Sequence, residues 1–216
     1  MPKIKYKDKS FTSYLLSYRL IVLVSNVVFQ GIRYMSLGER LYKISITVIF
    51  AILIYFVIDN FFISFIIGHL LNYILNGQFY VVFRYLSSKQ IMSRVHLDEY
   101  IKIIERNITI FKPLDVLATG SFCRGKMSRH SDLDLRIYHS NDFIPSLRAY
   151  IMATTLRFIG LCKRFPIDVY CCSDLVFLDK LDKIEIPVNF LQNVEFLEKY
   201  PTSSNYIIHM EDLILK

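Results

Sequence analysis

Thr119-Gly120-Ser121-Phe122-Cys123-Arg124-Gly125-Lys126-Met127-Ser128-Arg129-His130-Ser131-Asp132-Leu133-Asp134-Leu135-Arg136 is the stretch of this chain that decides its fold. An apolar run, Leu114-Asp115-Val116-Leu117-Ala118, precedes it, and Ile137-Tyr138 follows it. The run 114–118 has the length and apolar content of a short buried strand. Residues 132–138 alternate apolar and polar side chains and read as a second strand. On a strand, Asp132 and Asp134 place their carboxylates on one face. Gly120 and Ser121 stand where the first strand ends and a turn toward a helix begins. Small residues there let backbone N–H groups approach an anion.

Working outward, residues 95–108 read as a helix with Ile101, Ile104 and Ile108 on one face. Residues 143–161 read as a second helix. Residues 165–170 read as a third strand, with Pro166 at its beginning, where a missing N–H is tolerated. Residues 184–188 offer one more edge strand with Pro187 near its end, and residues 190–200 a further helix. The fold class is α+β: a small mixed sheet with flanking helices. Two carboxylates on one strand face repel unless a cation sits between them. Mg²⁺ takes oxygen ligands, commonly one or two carboxylates plus phosphate oxygens. Asp168, on another strand, supplies a third carboxylate. Arg124, Lys126 and Arg129 lie close to the turn and suit a phosphate group, with Ser131 beside Asp132. Asp98, Asp115, Asp142 and Asp174 read as surface or capping residues, and Tyr138 and Tyr170 as sheet packing.

Together, Gly120-Ser121, ten intervening residues, Asp132-x-Asp134 and Asp168 resemble the DNA polymerase β-like nucleotidyltransferase superfamily in its minimal form. The resemblance covers roughly residues 95–193. It implies transfer of a nucleoside monophosphate from an NTP, ATP above all, with release of pyrophosphate. It implies that Gly120 and Ser121 hold the triphosphate. It further implies that Asp132 and Asp134 bind Mg²⁺, and that Asp168 binds a second ion and assists the acceptor, with Mn²⁺ as a substitute metal. Cys123 stands where minimal members often have Ala.

The charge is unevenly divided. The 216 residues carry a net charge of +7 and are 53% hydrophobic, more apolar than a typical soluble domain. Residues 1–94 hold eleven Lys/Arg against Asp8, Glu39 and Asp59, whereas 95–216 are near neutral. The basic excess therefore belongs to the N-terminal part. That part also carries the most apolar sequence: 44–58 has no charge, and 61–75 is apolar apart from Ser64, His69 and Asn72. Each arm is ~22 Å long as a helix at ~1.5 Å per residue, short for a ~30 Å hydrocarbon core. Extension to Leu41 and to Val82 lengthens both. We read a helical hairpin over about 41–82 with its tip at Asp59-Asn60, either spanning a bilayer or dipping into one leaflet. A single kinked helix and a buried pair of helices in a soluble protein are the other readings. Aromatic and β-branched residues on all faces favour the membrane. Arg33, Arg40 and Lys43 before the first arm, and Arg84, Lys89 and Arg94 after the second, place both ends in the cytoplasm. His69, Asn72 and Asn76 share one helix face and read as interhelical hydrogen-bonding groups, or as contacts to a headgroup or acceptor. Residues 14–32, behind Lys3, Lys5, Lys7 and Lys9, suit an interfacial helix on anionic lipid, or a solvated basic tail.

Two domains follow: a basic, membrane-associated helical region at 1–94 and a minimal nucleotidyltransferase domain at 95–216. The function expected is NMP transfer at the cytoplasmic membrane face. Its acceptor is a hydroxyl or phosphate on a lipid-linked or sugar molecule, as in envelope polysaccharide or glycolipid synthesis. The alternative is an antitoxin-like regulatory module that modifies or binds a protein partner. A near-neutral C-terminal part argues against broad nucleic-acid binding. Cys123, Cys162, Cys171 and Cys172 show no metal-binding spacing and read as reduced thiols.

Overall fold

The computed structural model describes residues 19–32, 35–76, 94–112, 114–124, 131–174 and 185–190. The expected helix over 190–200, Lys126 and the basic residues 84–93 lie outside them. Five helices and four strands follow one another in the described residues. They are α1 (Arg19–Phe29), α2 (Leu37–Ile58), α3 (Phe61–Leu75), α4 (Arg94–Ile110), β1 (Asp115–Thr119), β2 (Leu133–Tyr138), α5 (Phe143–Cys162), β3 (Ile167–Cys172) and β4 (Val188–Asn189).

The sheet order is β3-β2-β1-β4. β1 pairs antiparallel with β2 and with β4, while β2 and β3 run parallel. The parallel pair needs a crossover, and α5 supplies it. Alternation sorts the two sheet faces. Leu133, Leu135 and Ile137 of β2 are fully buried beneath the helices, together with Val116 and Ala118 of β1 and Ile167 and Val169 of β3. α4 turns Leu97, Tyr100, Ile101, Ile104 and Ile108 into the same core, the face expected from their spacing. Tyr100 stacks on Phe165 with ring centroids 4.3 Å apart. Asp134, Arg136 and Tyr138 point the other way, half-buried.

α2 and α3 are two antiparallel helices and not one kinked helix. Asp59 takes a left-handed conformation (φ 51°) and closes α2, and Asn60 caps α3 by accepting from the Ile63 N–H at 3.1 Å. Their shared seam is small and polar. Lys43, Thr47 and Ala51 of α2 face Ser64, Gly68 and Asn72 of α3, all buried. A Cβ on Gly68 would lie 2.7 Å from the Ala51 backbone nitrogen, so glycine is what permits this close approach. The apolar side chains point outward: Phe56 is 80% exposed, Val57 84%, Phe61 72% and Phe62 71%. The expectation of apolar residues on every face therefore changes: the outside is apolar and the inside is not. Among the described residues, α2 is the one helix long and apolar enough to cross a membrane, and α3 is apolar but shorter.

His69, Asn72 and Asn76 do bond between helices. Asn72 donates to Lys43 O (2.9 Å) and Thr47 Oγ1 (2.7 Å). His69 Nε2 lies 2.9 Å from Val27 O of α1, and Gln30 Nε2 donates to His69 O at 2.9 Å. Asn76 Oδ1 accepts from Arg157 Nη1 of α5 at 3.2 Å. One further expectation is corrected. Asp115 is no surface residue: it opens β1 opposite Tyr138 of β2 and is fully buried.

Candidate active site

The parallel register of β2 and β3 sets Asp134 opposite Asp168 and, two residues on, Arg136 opposite Tyr170. On the other side Thr119 of β1 stands opposite Asp134. Asp134 and Asp168 therefore lie in one row across the sheet, on the face turned away from the helical core. Asp132, expected to open the strand, stands just before β2, which begins at Leu133, and its charge acts on Asp168. All three are half-buried. Gly120 follows Thr119 directly, with φ 73°, a conformation that favours glycine. A Cβ at this position would overlap the Asp134 carboxylate. Glycine is thus required twice here, for its backbone and for the space it leaves.

The turn expected after β1 is present. The Arg124 N–H donates to Gly120 O at 3.3 Å, and Ser121 Oγ reaches Asp132 O at 3.5 Å. These contacts tie the turn to the start of β2, beside the carboxylates. Phe122 and Cys123 are buried and anchor the turn from below; Cys123 Sγ donates to Ala118 O at 2.9 Å. Burial pushes the Cys123 thiol up to about 12. The four cysteines are free thiols, as expected.

Burial raises the pKa of Asp168 above the usual carboxylate range. The Arg136 charge opposes that rise, the neighbouring Asp132 charge adds to it, and Arg157 and a hydrogen bond from Tyr170 also oppose it. The Arg136 guanidinium sits 4.5 Å over the Tyr170 ring. Asp168 therefore leans toward Tyr170 and Arg136, while Asp134 leans over Gly120. Among the described residues no group of three or more His, Cys, Asp or Glu is arranged to hold a metal ion. The donor set itself fits one. Asp134 and Asp168 on one sheet face, with Asp132 just before β2, are hard oxygen ligands suited to Mg²⁺, and a cation would relieve the cost of burying Asp168 beside Asp132.

Three acting residues escaped the sequence reading. Glu185 accepts from the Gly120 N–H and, at 2.8 Å, from Arg124 Nη1. Glu39 Oε2 accepts from the Cys171 N–H at 3.1 Å, on the open edge of β3. Arg157 joins Glu39 Oε1 at 2.6 Å and also donates to Val169 O. Available signals were a single charge within the otherwise uncharged 149–162 run and an acid in a strongly basic segment. Ser36-Leu37-Gly38-Glu39 also reads as a capping box, and Ser36 does accept from the Glu39 N–H at 3.2 Å. The Glu39 carboxylate is committed to β3 and Arg157.

Residues 98–197 match the family model described as Nucleotidyltransferase domain. No curated protein and no solved structure matches the chain. The matched segment contains the turn at Gly120-Ser121, the row of carboxylates and β4. Domains of this family work with divalent metals and an NTP. Residues 98–197 are thus similar to the nucleotidyltransferase domain family, and this domain supports a transferase of nucleoside monophosphates.

Proposed function

We propose that this protein is a membrane-attached nucleotidyltransferase whose catalytic face is the row Asp132, Asp134 and Asp168. The observation that carries the catalytic reading is the parallel register that sets Asp134 against Asp168 beside the Gly120 turn. Asp132, Asp134 and Asp168 would hold Mg²⁺, two ions in all. Bound Mg²⁺ supplies neutralisation of the triphosphate and of the leaving pyrophosphate. The Gly120 and Ser121 backbone orients the triphosphate, and Arg124, Lys126 and Ser131 contact it. Asp168 accepts the proton of the acceptor hydroxyl at its carboxylate as the acceptor oxygen bonds to the α-phosphorus and the bond to the β-phosphate oxygen breaks.

The hairpin supports membrane attachment. Large apolar side chains pointing outward around a polar and small-residue seam are the reverse of a water-soluble helix pair. In a bilayer the same arrangement is favourable, because polar groups bond to each other inside and apolar groups meet lipid. Arg33, Arg40, Arg84, Lys89 and Arg94 lie toward the two ends of the hairpin and favour the cytoplasmic side for the catalytic domain, whereas Lys43 is buried in the seam. On this reading residues 1–94 and 95–216 are an anchor region and a catalytic domain. A catalytic face held at the membrane suits a lipid-linked or sugar acceptor from envelope polysaccharide or glycolipid synthesis.

The test uses the full chain purified in detergent, Mg²⁺ and each of four NTPs labelled at the α-phosphate, with membrane lipid extract as acceptor. Label transferred to a lipid-extractable product, and lost in both Asp132→Asn and Asp134→Asn, is the expected result. Turnover that survives either substitution overturns the catalytic assignment. Release of the chain from membranes by alkaline carbonate overturns the membrane assignment.

A further inference from the structure

Two of the groups assigned above to the triphosphate are held by a carboxylate of the chain itself. The Gly120 N–H donates to Glu185 Oε1, and Arg124 Nη1 donates to Glu185 Oε2 at 2.8 Å. Strand pairing brings this about. Val188 pairs with Ala118, so the chain just before β4 runs past the end of β1 where Gly120 turns. The Glu185 side chain is 7% exposed, while Arg124 remains one-third exposed. A carboxylate bridging a backbone N–H and a guanidinium presents two anionic oxygens to two charge-compatible donors. A phosphate presents the same chemistry to the same donors.

We propose that Glu185 occupies the triphosphate seat and competes with the incoming nucleotide, so that NTP binding requires its departure. This rests on the assignment of the Gly120 turn to the triphosphate. Filling the seat from within lowers the apparent affinity by the fraction of molecules in which the seat is closed. The displaced carboxylate cannot remain beside the triphosphate without like-charge repulsion, so the segment leading into β4 must shift when nucleotide binds. The Arg124 guanidinium, already aimed at an anion, passes from Glu185 to phosphate without losing a partner. In the resting protein the seat thereby avoids an unpaired backbone donor and an unpaired guanidinium.

The experiment measures binding of inorganic tripolyphosphate with Mg²⁺ to the full chain in detergent, in wild type and in Glu185→Gln. The amide keeps the size and one acceptor oxygen but loses the charge. The apparent Kd is expected to fall roughly ten-fold in Glu185→Gln, equivalent to about 1.4 kcal/mol. An unchanged or weaker affinity overturns the proposal and makes Glu185 a clamp or a ligand of the turn; absence of binding by both proteins overturns it too. A second measurement needs no variant. Carbodiimide labelling of Glu185 in wild type, read by mass spectrometry, is expected to rise at saturating tripolyphosphate; protection overturns the proposal. Transfer by Asp134→Asn is followed in parallel. Loss of transfer there without tightening in Glu185→Gln removes this inference alone, whereas retained transfer removes the underlying catalytic assignment.

Discussion

Glu39 and Arg157, 118 positions apart, form a buried ion pair at 2.6 Å that joins the N-terminal hairpin to the catalytic sheet. The pair also satisfies the edge of β3. Glu39 accepts from the Cys171 N–H, and Arg157 donates to Val169 O. Both groups flank Tyr170, two residues beyond Asp168. The hairpin is thus bonded to the very strand that carries one of the candidate catalytic acids.

Removing one partner leaves a buried charge unpaired. Glu39→Gln or Arg157→Met is expected to cost roughly 3–5 kcal/mol, whereas the double substitution costs much less than the sum of the two. Denaturant unfolding of the purified chain measures both. Additive losses in the cycle would show that the two side chains do not act as a pair.

Gly68→Ala places a methyl 2.7 Å from the Ala51 nitrogen and 3.1 Å from Thr47 O, both backbone atoms that cannot swing aside. Helix propensity alone would favour alanine. The contact outweighs it, and a net loss of about 1–3 kcal/mol is expected from forcing the helices apart. A rise in the unfolding temperature would contradict the close seam.

Gly120→Ala meets two obstacles, a left-handed backbone and the Asp134 carboxylate. Displacing that carboxylate by about 1 Å is expected to slow transfer roughly 100-fold. The fall should appear in kcat at saturating NTP. Unchanged kcat would remove Asp134 from the reacting centre.

Asp168 carries a pH prediction. Its folded pKa lies above the ordinary value of 3.8, chiefly through burial. The native state therefore holds this proton more tightly than the unfolded chain. The resulting contribution to stability is present below pH 3.8 and is lost as pH rises through the folded value. At neutral pH, without metal, the ionised carboxylate is a net cost, so Asp168→Asn is expected to raise the unfolding temperature by a few degrees while abolishing transfer. Mg²⁺ should raise the unfolding temperature of wild type by more than that of Asp168→Asn, which keeps Asp132 and Asp134. The opposite order would detach Asp168 from metal binding.

Much of the fold was legible in the sequence because the deciding signals are local. Alternation at Asp132-Leu133-Asp134-Leu135-Arg136 defines a strand face, and the spacing of Ile101, Ile104 and Ile108 defines a helix face. Gly120-Ser121 marks a turn through backbone geometry that few other residues adopt. The uncharged run 44–58 and the break at Asp59-Asn60 announce two apolar helices. Each of these is fixed by neighbours in the chain, so composition and period suffice to read it.

Tertiary structure alone decided which distant groups meet. Nothing in the spacing of Glu39, Arg157 and Cys171 says that one carboxylate will serve a guanidinium and a strand edge together. Asp115 read as a surface acid, yet in the folded sheet it stands opposite Tyr138 and is fully buried. Glu185 lies 65 residues from Gly120, and only the pairing of β4 with β1 brings its carboxylate to the turn. The inside-out character of the hairpin likewise depends on which stripe of α2 meets which stripe of α3. Local sequence sets which faces a segment possesses. Long-range strand pairing and helix packing set which faces touch, and a buried polar group takes whatever partner that contact supplies.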